Sequence, residues 1–174
     1  MRLRDDFKTA WRLKREEWRH LFEAGGSLVA ARLAVWFVPF RSLAVRLGDE
    51  TAESPAAVTA EQRAAAVPIG WAVRTLGRRL PWMSQCLVQA VAITWMLQRR
   101  RIPSTLYFGL AKDEEETGGL KAHAWVRSGT KILTGAREHH EFTVVATFAA
   151  PELNANSDSA NPPSEDLLRK DASS

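Results

Sequence analysis

At Ile102-Pro103 the hydrophobic pattern of this chain changes from helical spacing to strand alternation, and no other feature restricts the fold as much. Before that point apolar residues recur three and four apart; after it they alternate. Ser104 to Ala111, Lys121 to Arg127, Lys131 to Thr134 and Phe142 to Phe148 read as four strands. Ser128-Gly129-Thr130 turns the chain between the second and third. Asp113-Glu114-Glu115-Glu116-Thr117-Gly118-Gly119 reads as a hairpin loop between the first and second. Its acidic side chains are consecutive and do not converge on a cation, so no metal site is expected there. Helices followed by an antiparallel sheet make an α+β domain.

In the helical half, residues 5 to 24 read as an amphipathic helix, with Phe7, Trp11, Trp18, Leu21 and Phe22 at helical spacing. Gly25-Gly26 is expected to stop it. Ser27 then caps a second helix carried by Leu28, Ala31, Ala34, Val35 and Val38 and ended by Pro39. Trp11, Trp18 and Trp36 make this unit apolar enough to need a cover, either the chain's own core or a partner protein. Gly48 to Ala57 reads as an exposed linker. A helix resumes near Thr59, is broken or restarted at Pro68, and presents Ile69, Ala72, Val73 and Leu76 as one stripe.

The turn Pro81-Trp82-Met83-Ser84-Gln85-Cys86-Leu87 delivers the single cysteine to the start of the next helix, which runs from about Gln85 to Arg100. Ser84 is a good N-cap, and Cys86 falls in the first turn. Free N–H groups and the positive end of the helix dipole there favour a thiolate. The stripe Leu87, Ala90, Val91, Thr94 and Leu97 predicts a central helix buried along one side. On the second strand, alternation places His123 and Trp125 on one face and Ala122, Ala124 and Val126 on the other. A cysteine at a helix N-terminus and a histidine on an antiparallel strand are two parts of a thiol acyl-transfer site. The same residues also suit a small buried hydrophobe and a structural imidazole.

One cysteine excludes an internal disulfide and a thiolate zinc cage, and suits a reducing cytosol. The opening Met1-Arg2-Leu3-Arg4-Asp5-Asp6 has no signal-peptide character, and the apolar run Leu28 to Phe40 is too short to span a membrane. A cytoplasmic location is expected. The net charge of +4 is spread over helix faces, and no nucleic-acid motif accompanies it. His139-His140 reads as a pair of surface residues whose adjacent side chains diverge. From Pro151 onward the composition collapses into Asn, Ser, Asp, Pro and Ala, so a disordered tail is expected over 150–174.

Several blocks resemble the leader peptidases of lasso peptide biosynthesis (the B proteins), which carry a transglutaminase-like, papain-related cysteine protease domain. They are Arg79-Leu80-Pro81-Trp82, Cys86-Leu87 with Ala90, Leu97 with Ile102-Pro103-Ser104-Thr105-Leu106, Phe108-Gly109-Leu110-Ala111-Lys112, and Leu120-Lys121-Ala122-His123-Ala124-Trp125-Val126. Ala31-Arg32, Val38-Pro39-Phe40 and Arg46-Leu47-Gly48 extend the likeness upstream, so that it covers about residues 20 to 148. The resemblance implies removal of the leader from a ribosomally made lasso precursor, with Cys86 as nucleophile and His123 as base and then acid. It implies no metal and no cofactor. A separate leader-recognition protein and an ATP-dependent lasso cyclase would be the partners, because no recognition domain fits this chain.

The organisation implied is a helical docking segment over 1–47, a linker over 48–58, the peptidase domain over 59–149, and the tail. The family pattern also calls for an aspartate about a dozen residues after the histidine, and none is present. Thr134, a backbone carbonyl or Glu138 is left to orient His123. Two other functions stay open: a transglutaminase-type acyl transferase, and a scaffold that has lost catalysis. The apolar N-terminal unit predicts poor solubility of the isolated chain.

Overall fold

A computed structural model of the chain describes residues 14–79, 86–112, 119–136 and 139–150. Among the described residues are four α-helices, α1 (Arg15–Phe37), α2 (Phe40–Leu47), α3 (Ala60–Arg79) and α4 (Cys86–Gln98), and five strands, β1 (Asp49–Glu50), β2 (Thr105–Lys112), β3 (Leu120–Ser128), β4 (Lys131–Thr134) and β5 (Thr143–Ala149). All strand pairings are antiparallel, in the order β1-β5-β2-β3-β4. The fold is α+β, as the change of period at Ile102-Pro103 requires. Residues 5–13, the acidic loop 113–118, Glu138 and the tail from Pro151 lie outside the described residues.

α1 runs unbroken through Gly25-Gly26, where the sequence predicted a stop. Its buried side is narrow and made of Ala24, Ser27, Leu28 and Ala31. Gly25 faces Leu76 of α3, with room for a Cβ at 3.8 Å from Leu76 Cδ1. A glycine ends a helix only when the chain leaves there, and the buried residues on either side of the pair, Ala24, Ser27, Leu28 and Ala31, keep α1 continuous. Likewise α3 continues through Pro68. It is opened by a reciprocal pair, Gln62 N donating to Thr59 Oγ1 and Thr59 N donating to Gln62 Oε1.

α4 is the centre of the molecule. The sequence predicted burial along one side, but Val88, Ala90 to Thr94, Met96 and Leu97 are buried around its whole circumference. α1 and α3 pack on one side and the sheet on the other. Leu106, Phe108, Ala124, Val126, Ala146 and Phe148 pair across β3, β2 and β5 in register and form the sheet's core face. The segment expected as a linker carries β1, paired with β5 at Asp49↔Ala149 and Glu50↔Phe148. It also carries Ser54, whose buried N–H and hydroxyl both reach Thr105 Oγ1 at 2.8 Å. No helix among the described residues is long and apolar enough to cross a membrane.

Glu23 ties α1 to the end of α4. Arg100 donates to its carboxylate at 2.7 Å and Arg99 at 3.2 Å. The Arg100 hydrogen bond is the main cause holding the Glu23 carboxyl below its usual range, opposed by partial burial. A depressed carboxyl pKa stabilises the fold above the unfolded-state value and stops doing so as pH falls through the folded value. Thermal melts of Glu23→Gln should therefore fall below wild type at neutral pH, by less than about 1 kcal/mol for so exposed a pair. The two curves should converge as the pH drops below about 4.

Candidate active site

Cys86 is the first described residue of α4, half-buried, and packs against the core cluster. Residues 80–85, Ser84 included, lie outside the described residues. His123 stands on β3 opposite Gly109 of β2. It shares its sheet face with Trp125 and Tyr107, the face opposite the one that enters the core. The Tyr107 and Trp125 rings stack at 5.4 Å and 5°, and His123 continues the stack 5.8 Å from Trp125. Phe142 covers the other side of the imidazole at 5.0 Å. Gly109 leaves room for this arrangement, since a Cβ there would lie 2.8 Å from Trp125 Cζ3 and 2.7 Å from Phe142 Cβ.

The aromatic stack is itself anchored. Arg127 donates to the Tyr107 hydroxyl at 2.8 Å, to Gly129 O at 2.8 Å and to Ser54 O at 3.0 Å, and pairs with Glu53. Burial raises the Tyr107 phenol above its ordinary pKa, with the Arg127 donor partly offsetting it. The phenol therefore stays neutral and acts as a hydrogen-bonding post.

His123 Nε2 lies 3.1 Å from the carbonyl oxygen of Gly135. A carbonyl only accepts, so Nε2 carries the proton and Nδ1 of the neutral ring is left with a free lone pair. A backbone oxygen thus occupies the place that the sequence left open between Thr134, Glu138 and a carbonyl. Thr134 is engaged elsewhere: its hydroxyl donates to Gln89 Oε1 at 3.3 Å. Gln89 lies on α4 three residues after Cys86, and thus on the cysteine's side of that helix. Thr134 and Gly135 are consecutive at the end of β4, the edge strand. One reaches the cysteine helix and the next reaches the histidine on the other face of the sheet. No hydrogen bond joins Cys86 to His123 among the described residues. The imidazole stands on the sheet face away from α4, and among the described residues no contact joins it to Cys86.

A family model described as the transglutaminase-like superfamily matches residues 28–147. The chain belongs to the transglutaminase-like superfamily. The match begins inside α1 and ends inside β5, so the helices and the sheet are parts of one transglutaminase-like unit. That superfamily includes cysteine peptidases and acyl transferases and is typically built on a reactive cysteine. No curated protein and no solved structure matches the chain.

His139 and His140 form a short 3-10 turn, with His139 Nδ1 bonded to Ala136 O at 2.8 Å. Among the described residues no group of three or more His, Cys, Asp or Glu could hold a metal ion. Sequence reasoning singled out Cys86 and His123 and allowed a backbone carbonyl beside the ring, but pointed to neither Gln89, Arg127 nor Gly135 in particular. The absent aspartate beside a glycine was the one available signal for Gly135. Gln89 and Arg127 sit in otherwise unremarkable helix and strand patterns.

Proposed function

We propose that this chain is the cysteine peptidase that removes the leader from a ribosomally made lasso peptide precursor. The observation that carries this reading is the carbonyl-held imidazole. Gly135 O fixes the tautomer in which His123 Nδ1 is a base, on a strand whose other face packs on the helix that carries Cys86. In the proposed reaction Nδ1 takes the thiol proton and Sγ attacks the scissile carbonyl. Backbone N–H groups at the start of α4 receive the oxyanion. The imidazolium then protonates the departing amine, which is the α-amine of the core peptide, and leaves the leader as a thioester on Cys86. Water, deprotonated by the same ring, releases the leader acid and restores the thiol. The freed amine becomes the substrate of a separate ATP-dependent cyclase.

Leader recognition would come from a separate protein, and the surface of α1 supports that need. Trp18, Phe22, Val29, Leu33 and Trp36 recur along one side of the helix and remain exposed. Trp36 is 64% exposed and Phe37 76%. The Trp36→Ser/Phe37→Ser double variant should leave the melting temperature unchanged. It should weaken recognition-protein-dependent cleavage about tenfold or more, read as the partner concentration needed for half-maximal rate.

The superfamily match favours one alternative, transfer of the acyl group to an amine instead of water. Turnover of a glutamine substrate with a primary amine would identify it. A scaffold without catalysis would instead bind the leader and cut nothing. The deciding assay is precursor cleavage with the recognition protein present, comparing wild type with Cys86→Ala and His123→Ala.

A further inference from the structure

Resting on the reading of Cys86 and His123 as a reactive pair, we infer that Gln89 and Thr134 form a latch that sets the position of the imidazole relative to the thiol. Both are positioning residues. Gln89 sits three residues beyond Cys86 on the most buried helix of the molecule. Its amide is backed by Gly77 of α3, where a Cβ would come within 2.6 Å of Gln89 Nε2 and 2.8 Å of Cδ, so any larger residue there would displace it. The Thr134 hydroxyl donates to Gln89 Oε1 at 3.3 Å, and Thr134 is only 4% exposed. The next peptide group along the chain carries the carbonyl that holds His123 Nε2 at 3.1 Å. A continuous path therefore runs from the Cys86 helix through Gln89, Thr134 and Gly135 O to the imidazole.

The path has a mechanical reason to exist. β4 has four residues, is an edge strand and pairs only with β3, with a register shift between Val126 and Arg127. Such a strand end has few ladder bonds to fix it. The aspartate that the family pattern places in this region would bring its own charge and could hold the ring from a looser backbone. A carbonyl has neither the charge nor a flexible side chain, so its position must be fixed by what grips the backbone around it. The Thr134–Gln89 hydrogen bond supplies that grip on the preceding residue. It refers the loop to α4, the element that also carries the thiol.

Because Cys86 is the only thiol, its iodoacetamide alkylation rate reports this geometry without any peptide substrate. Rates are measured against pH for wild type, His123→Ala, Gln89→Met, Thr134→Val and Thr134→Ser, with thermal melts alongside. A coupled thiol reacts at low pH, and that limb disappears in His123→Ala. Thr134→Val and Gln89→Met should each slow the low-pH reaction about five- to tenfold, the worth of one hydrogen bond. Thr134→Ser, which keeps the hydroxyl, should restore it. A role in stability alone would lower the melting temperature and leave the profile in place. Should His123→Ala change the profile while Thr134→Val and Gln89→Met match wild type, the latch is overturned and the thiol–imidazole pair stands. A profile indifferent to His123→Ala overturns both, since no coupled imidazole remains to be positioned.

Discussion

On the proposed mechanism, Cys86→Ala removes discrete leader cleavage altogether and His123→Ala slows it on the order of 10⁴-fold or more, with both proteins folded. The two losses differ in kind. Without sulfur no thioester forms, and no other residue can replace it because the chain holds one cysteine. Without the imidazole the thiol remains, but its proton has no acceptor and the leaving amine has no donor. Groups acting as one unit lose most of their effect when either is removed, so the double variant should be little worse than Cys86→Ala. Precursor mass spectrometry after incubation with the recognition protein reads the result. Persistent cleavage at the same bond by Cys86→Ala would sink the mechanism, and a wild type that binds leader but never cuts it would favour the scaffold.

What the sequence made legible follows from which interactions are periodic. The four strands stand within a residue or so of their expected bounds, because apolar residues such as Leu106, Phe108, Ala124, Val126, Ala146 and Phe148 alternate onto the core face and the sequence records that period. The turn at Gly129, with φ +58°, carries an equally local signature. The sequence was misleading where tertiary packing overrode a local preference. Gly25-Gly26 reads as a stop by propensity, yet Ala24, Ser27, Leu28 and Ala31 are buried on either side of the pair and carry the helix through it. Pro68 lies within α3 because its neighbours Ala66, Ile69 and Gly70 are buried on both sides of it and hold the helix together.

The site divides in the same way. Cys86 and His123 stand out as candidates because their chemistry belongs to their side chains. The sequence allowed a backbone carbonyl as the partner of His123 but could not say which, because every residue has one. The absent aspartate marked the region, but only folding could select Gly135 O over the Thr134 hydroxyl. Thr134 itself was occupied by Gln89, a partner 45 residues away that no local pattern announces.

The sharpest test of that selection is Gly135→Ala, which should cost both stability and rate. Gly135 has φ +74°, where a residue with a Cβ is disfavoured by about 1–2 kcal/mol. The added Cβ would lie 2.6 Å from Trp125 Cβ, 2.8 Å from His123 Nε2 and 2.9 Å from Ala124 O. Two of these belong to or adjoin the backbone of a central strand and cannot swing aside, so overpacking adds roughly 1–3 kcal/mol. A melting-temperature drop on the order of 10 °C follows.

Gly48 supplies the control. It has φ +128°, and its Cβ would meet Ala149 O, at the far end of the sheet from His123. Gly48→Ala should therefore destabilise by a comparable amount while keeping the cleavage rate of the folded fraction. Gly135→Ala, assayed well below its melting point, should lose about a hundredfold in rate as well. The methyl group displaces the imidazole from its carbonyl, and the ring is then free to adopt the wrong tautomer. If folded Gly135→Ala cleaves at the Gly48→Ala rate, the carbonyl does not orient His123.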